Sequence, residues 1–297
     1  MRRYFVREGT MRRVAIITDS GSDLDPAVAA AAGIALVPLL AIFGDQEFRA
    51  GVDLSAREFW ERFSAPGAPF PRTSAASAGT FQAAFEDAFR DGARAVVCVT
   101  LAGTLSATLS SAEMARDALP NREIHIVNSW SASMVEGILA QLGAEMADRG
   151  VSAAEIAATL AGRTRDLQLL YVMDTLEHLV RGGRIGRGRA LVGAMLSTKP
   201  IMTINEGIVD IVDRPRTRTR ARQRLVELVT ARPVERLAVL YTPRTEDVDG
   251  LTGQLAAAAR IPPAAVSRQF IGPTIGPHVG PGAYGVAVLW RAEAPAQ

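Results

Sequence analysis

Val14-Ala-Ile-Ile17-Thr-Asp19-Ser-Gly-Ser-Asp23-Leu-Asp25-Pro26 is the stretch on which the fold turns. Its first four residues form an unbroken apolar run, the pattern of a strand buried on both faces of a parallel sheet. Thr18 to Asp23 is polar and reads as a loop. Asp25 before Pro26 pairs a capping oxygen with a proline suited to the first helical position, so a helix opens there. The alanine-rich helix ends at the turn around Gly33, and the apolar segment Ile34 to Phe43 reads as a second strand. A strand–helix–strand opening predicts a parallel sheet.

Outward from this unit the rhythm repeats. Ser55 and Glu58 form a capping-box pattern for a helix running to about Phe63. After the Gly/Pro-rich loop Pro66 to Pro71, Ser77 is a plausible N-cap for a helix with Phe81, Phe85 and Phe89 on one face. Ala95 to Val99 is a strand, Leu101 to Thr108 a polar loop, Ser110 to Leu119 a helix, and Ile124 to Val127 a strand ending in Asn128-Ser129. Helices follow over Val135 to Ala147 and Val151 to Arg163, the second with Ser152 and Glu155 as a capping box. Each strand ends in hydroxyls placed just before a helix, at the carboxyl edge where open α/β sheets bind ligands.

Beyond Arg163 the order is mixed. Leu169 to Met173 is a strand, Asp174 to Val180 a short helix, Arg181 to Gly188 a basic glycine-rich loop, and Ala190 to Leu196 helical. Two apolar runs around Asn205-Glu-Gly207 predict a hairpin over Lys199 to Val212. A helix ends over Leu225 to Ala231, and strand, helix and strand follow at Leu237 to Tyr241, Val248 to Ala259 and Gly285 to Trp290. The expected fold is α/β: an N-terminal, mostly parallel sheet flanked by helices over residues 11–163, then a C-terminal α+β domain over residues 164–297, with a ligand between the two. Residues 1–10 read as a disordered extension, and Met11 could equally be the start.

The chain has 297 residues, 48% of them hydrophobic and 22% charged, enough apolar content for a sizeable core. One cysteine, Cys98, excludes intramolecular disulfides and Cys-based metal or redox sites. Thirty-three basic and 31 acidic side chains leave a charge of +2, which names no partner. Ala27 to Gly44 is uncharged, but it is mostly alanine and is cut by Gly33 and Pro38. The basic start is followed by too short an apolar run for a signal peptide. No membrane span and a cytoplasmic location are expected. Phosphate-loop, nucleophile-elbow and His-Glu-x-x-His patterns are missing, and Gly183 to Gly188 has the wrong order for a dinucleotide loop. No cofactor and no metal site are expected, and His125 and His178 read as structural.

Thr73, Ser74 and Ser77, then Thr104, Ser106 and Thr108, place hydroxyls at two turns before helices. Capping accounts for one of each set; two helix N-termini aimed at one edge would also form an anion-binding cup. His278 lies in an irregular Gly/Pro-rich loop, either solvated or held to bond an anion, more strongly as imidazolium at low pH. Asp19 and Asp23 fit a metal or base no better than turn and cap chemistry. Arginines at every second position from Arg214 to Arg224 form either a solvated face or a docking patch for an acidic partner, and nucleic acid is disfavoured by the absence of interleaved aromatics.

Thr18-Asp-Ser-Gly-Ser-Asp-Leu24, Thr73-Ser74 with Ser77, Leu105-Ser-Ala-Thr108, Asn128-Ser129 with Ser133 and Gly137, Leu176-Glu with Gly182-Gly-Arg-Ile185, Lys199-Pro-Ile, Arg216-Thr-Arg218 and His278-x-Gly-Pro-Gly282 together resemble the DegV family, in order from about Val14 to Leu289. The resemblance implies a two-domain α/β protein holding one long-chain fatty acid between its domains. Several members are the fatty-acid-binding subunit of bacterial fatty acid kinase. Carried over by position, Thr73, Ser74 and Ser106, with Arg184 and His278 nearby, would bind the carboxylate, and Arg216 and Arg218 would face a separate ATP-dependent kinase subunit. The chain would then be a lipid-binding protein and not an enzyme, with transient membrane contact for lipid exchange. Departures are Ala75-Ala76 for Gln-Pro, Asn128 for Asp, and Ala107 and Val135 for glycines, the last two expected to narrow the pocket. The rival readings are a hydrolase or phosphotransferase using Ser106 or His278, and a regulatory or nucleic-acid-binding protein acting through Arg214 to Arg224.

Overall fold

The computed structural model describes residues 13–186 and 198–292, together with the backbone of residues 6–7 and 10–11. Strands β1 (Val6–Arg7) and β2 (Thr10–Met11) pair antiparallel ahead of the main body. The rest of the extension expected over residues 1–10, and the helix expected over Ala190 to Leu196, lie outside the described residues.

The opening unit forms as its sequence dictates. β3 (Val14–Asp19) is buried along its whole length, and α1 (Pro26–Ala31) starts with the Asp25 carboxylate accepting from the amides of Ala27 and Val28. The apolar segment after Gly33 is two strands, not one. β4 (Ile34–Val37) pairs parallel with β3, whereas β5 (Leu40–Phe43) turns away beyond Pro38 into a separate antiparallel sheet with β6 (Gln46–Arg49) and β7 (Arg72–Ser74). Between them, α2 (Ala56–Phe63) carries a complete Ser55/Glu58 capping box.

α3 (Ala78–Arg90) is capped by Ser77, and it buries Phe81 and Phe85 against one face of the four-stranded parallel sheet. Removing each such ring from water stabilises by about 1.5–3 kcal/mol. That sheet has the order β4-β3-β8-β9, with β8 (Ala95–Thr100) and β9 (Glu123–Asn128), and α4 (Thr108–Asp117) shares the α3 side. α5 (Met134–Asp148) and α6 (Ala153–Arg163) cover the other face; Ser152 caps α6 through the Glu155 amide. α5 is apolar on nearly every side because it packs between two sheets, touching β3 on one flank and the second sheet on the other.

The second sheet is six-stranded, in the order β12-β11-β10-β15-β13-β14. Its strands are β10 (Leu167–Val172), β11 (Ile201–Asn205), β12 (Ile208–Asp213), β13 (Val234–Tyr241), β14 (Val266–Phe270) and β15 (Tyr284–Trp290). All pairings are antiparallel except β13 with β14. The final strand lies in the middle of the sheet, which is why all seven of its residues are buried. The expected hairpin is β11–β12, turning through Glu206 and Gly207, both with positive φ. The short helix α7 (Glu177–Arg181) follows β10, α8 (Arg218–Val229) and α9 (Val248–Ala259) cover the outer face, and α10 (Gly276–Val279) is a single turn before β15. The parallel sheet flanked by helices and the second, mixed sheet are the α/β architecture expected. One apolar cluster runs through both, from Ile16 and Leu139 to Leu169, Ala287 and Leu289.

Candidate functional site

Between the carboxyl edge of the parallel sheet and the inner face of the six-stranded sheet lies a largely apolar cavity. Leu169, Tyr171 and Met173 project into it from β10 and the residue beyond it, Met202 and Ile204 from β11, and Val209 from β12. The period-two alternation of strands sends these alternate residues to one face. Leu39, Leu101 and Leu105 close the opposite wall, and Ile275 and Val279 a third.

The polar groups of the cavity are few, and they are largely those singled out from sequence: Thr73, Ser74, Ser106, Arg184 and His278 all line it. Thr73 and Ser74 do not stand at a strand-to-helix turn of the parallel sheet, as their sequence context suggested. They lie on β7, where pairing with Ala41 and Leu40 fixes them. Ser106 Oγ is 2.8 Å from Thr108 Oγ1 and accepts from the Thr108 amide. Because the N-cap position of α4 is Ala107, with no side-chain capping bond, the helix start keeps amides facing the loop. Arg184 is oriented by donating Nε to the Leu105 carbonyl at 3.1 Å and Nη1 to the Gly182 carbonyl at 2.8 Å.

His278 corrects the sequence reading twice. It sits on α10 instead of an irregular loop, with Nε2 3.1 Å from Thr73 Oγ1. Burial, helped by the charge of Arg184 and the nearby His178, pushes its pKa down to about 4. The ring is therefore neutral across ordinary pH, and the imidazolium expected at mildly low pH does not form. With the proton on Nε2, His278 donates to Thr73 and leaves the Thr73 hydroxyl hydrogen free for an anionic oxygen. Nδ1 is buried without a partner and faces Gly182, where a Cβ would collide with it.

The remaining candidates fall elsewhere. Ala107 and Val135 do not line the cavity, so neither narrows it; Val135 is core. Asp19 is a cap, accepting from the Gly21 amide and also from the Leu101 amide, whereas Asp23 is not turn chemistry: it accepts at long range from Ser133 Oγ and the Gly272 amide. No group of three or more metal-ligating side chains occurs among the described residues. His178 stacks on Phe70, and His125 is 3.1 Å from Glu123. Four of the six alternate arginines are engaged by carboxylates: Arg218 by Asp174, Arg220 by Glu227, Arg222 by Asp247 and Arg224 by Asp213. Arg216 is exposed and makes no ion pair among the described residues. Sequence reading missed Thr203 and Thr274, which also line the cavity. Thr274 Oγ1 lies 3.0 Å from Ser20 Oγ, a pairing no local pattern announces. No described helix is long and apolar enough to cross a membrane.

Comparison with known proteins bears on this arrangement. A Deinococcus radiodurans DegV domain-containing protein is 33% identical over 93% of this chain and 98% of its own. A Thermus thermophilus structure, described as "Fatty Acid Binding of a DegV family Protein", superposes with a TM-score of 0.85 at 29% identity over 94% of this chain and 100% of its own. A Bacillus subtilis structure, described as "DegV, a fatty acid binding protein", gives 0.84 at 26% identity over 94% of this chain and all of its own, 100%. The family model described as "Uncharacterised protein, DegV family" matches residues 13–291. With nearly the whole chain matched, in sequence and in fold, this protein belongs to the DegV family.

Proposed function

We propose that this protein binds one long-chain fatty acid in the cavity between the two sheets, carboxylate toward Thr73, Ser74, Ser106, Arg184 and His278. The observation that carries the reading is that those five polar groups line one cavity whose walls are mostly apolar. It gains support from the two family members described as fatty-acid-binding. A buried acyl chain contributes about 0.8 kcal/mol per CH₂, so the apolar wall supplies affinity and the hydroxyls supply orientation. The helix start of α4 and the Arg184 guanidinium favour the ionised head group.

The same reading makes the chain a cytoplasmic binding subunit that presents the carboxylate to a separate ATP-dependent kinase, with Arg216 and Arg218 on the docking face. Hydrolysis has less support. Ser106 bonds Thr108 and not His278, so the nucleophile–base pair it needs is not assembled. Titration with a fluorescent long-chain fatty acid tests the binding: saturation at one per chain is expected, and no saturable binding refutes it. Adding ATP with and without the kinase subunit tests the division of labour, since acyl-phosphate formed by the isolated chain contradicts it.

A further inference from the structure

Ser133 has φ 56° and ψ −145°, a backbone region that side chains other than glycine rarely adopt. It stands between β9 and α5, its amide held by the Gly21 carbonyl at 2.7 Å. The hydroxyl so positioned donates to Asp23 Oδ2 at 2.6 Å and accepts from Tyr171 OH at 3.1 Å. The other Asp23 oxygen accepts the Gly272 amide at 2.9 Å. Tyr171 lines one wall of the cavity, and the segment from Gly272 leads into Thr274 and Ile275 on another. Asp23 thus fastens two walls through one carboxylate.

Asp23 also reaches outward. With Ser20 and Gly272 it lines a second cleft on the outside of the same wall, so protons can reach it without crossing the cavity. Burial pushes its pKa up to about 7, against the bonds from Ser133 and Gly272. The titratable groups around it are Tyr171 on β10, raised well above its usual value by burial and by Asp23 itself, Asp25 two residues along, and Arg57 and Arg268 on the outer cleft. At the end of β3, Glu136 accepts from the Thr18 hydroxyl and the Asp19 amide, and the nearby Asp19 charge helps push its pKa up.

We infer that the Asp23–Ser133–Tyr171 hydrogen-bond chain positions the Tyr171 phenol and makes retention of the fatty acid proton-dependent, an inference that rests on the cavity being the fatty-acid site. With Asp23 ionised, every hydroxyl hydrogen in the chain points away from the cavity, and the acyl chain meets an apolar wall. When Asp23 takes a proton, its O–H donates to Ser133, Ser133 donates to Tyr171, and the phenol hydrogen turns toward hydrocarbon that cannot accept it. The one covalent change is the O–H bond formed on Asp23 with a proton from solvent; Ser133 and Tyr171 keep their own hydrogens, and the hydrogen bonds between them reverse direction. The ligand is held at neutral to alkaline pH and loosened as pH falls through the Asp23 value.

The test is the dissociation constant for cis-parinaric acid at about pH 8 and about pH 6, on either side of that value. Wild type, Ser133→Gly and Tyr171→Phe are compared. Ser133→Gly removes the hydroxyl while suiting the backbone, and Tyr171→Phe removes the phenol hydrogen. Titration of the probe's own carboxyl is common to all three. Wild type is expected to weaken by about tenfold more than either variant on acidification, the cost of one unmet donor. Saturable binding with the same pH profile in all three overturns the relay. Wild type that binds no probe at either pH overturns the fatty-acid reading itself, and the relay with it.

Discussion

Thr73 Oγ1 and His278 Nε2 lie 3.1 Å apart although 205 positions separate them in the chain. The bond joins a small antiparallel strand near the parallel sheet to the single helical turn before the last strand. With the proton on Nε2, it leaves the Thr73 hydroxyl hydrogen free and puts the hydroxyl, with the neutral imidazole that orients it, on the wall of a largely apolar cavity.

Thr73→Val and Ser106→Ala are expected to weaken fatty-acid binding by roughly 10–150-fold each, the loss of one bond to a charged acceptor, without lowering the melting temperature by more than a few degrees. His278→Ala should act in the same direction. Because the ring is already neutral above about pH 4, the deficit of His278→Ala relative to wild type should be the same at weakly acidic and weakly alkaline pH. A deficit that grows on acidification would mean that His278 acts as imidazolium.

Gly182→Ala is a sharper probe of the same bond. The backbone there is ordinary, φ −76° and ψ −9°, so alanine costs little conformationally. Its Cβ nevertheless collides with His278 Nδ1. Reduced fatty-acid affinity with near-normal melting is expected; unchanged affinity would show that the ring can move without loosening the head-group site.

Three buried carboxyl groups set a pH dependence of stability. Burial raises Asp19 to about 6 and Asp23 to about 7, and it raises Glu136 well above its usual value, with the Asp19 charge adding to the effect. A carboxyl whose pKa is higher folded than unfolded contributes stability that is complete below the unfolded value and lost as pH rises through the folded one, at about 1.4 kcal/mol per unit. Glu136→Gln retains an acceptor for Thr18 and cannot ionise. It should melt above wild type at alkaline pH and close to wild type near pH 5. A pH-independent difference would place the effect in packing.

Much of the architecture was legible because local chemistry agreed with global packing. The Asp25 cap, the Ser55/Glu58 box and the unbroken apolar run at Val14 to Ile17 each act within a few residues. Gln46–Arg49, Arg72–Ser74 and Val266–Phe270 were not seen as strands, since each is short and polar and lies at the margin of its sheet. The site was legible only in its polar half. Ser106 ahead of α4 and the glycine-rich setting of His278 stand out from their surroundings, Arg184 stands out only through the family resemblance, and Thr73 and Ser74 read as hydroxyls before a helix although they lie on a strand. Leu169, Tyr171 and Met173 alternate as any half-buried strand does, and whether they face protein or empty space depends on packing set by distant segments.

The basic face separates into two kinds of arginine. Arg218 is tied to Asp174, which Lys199 also approaches at 2.8 Å, so Arg218→Glu should lower stability by placing two carboxylates together. Arg216 is exposed and lacks an ion pair among the described residues. Arg216→Glu should leave melting and fatty-acid affinity unchanged and abolish kinase-dependent acyl-phosphate formation. Normal turnover in that variant would move the docking face elsewhere.

The most direct measurement is native mass spectrometry of the freshly purified protein, followed by solvent extraction and identification of what is released. The expected spectrum shows the chain with one bound molecule, and the extract contains a long-chain fatty acid in equal amount. A chain carrying a ligand of another chemical class in stoichiometric amount would contradict the account.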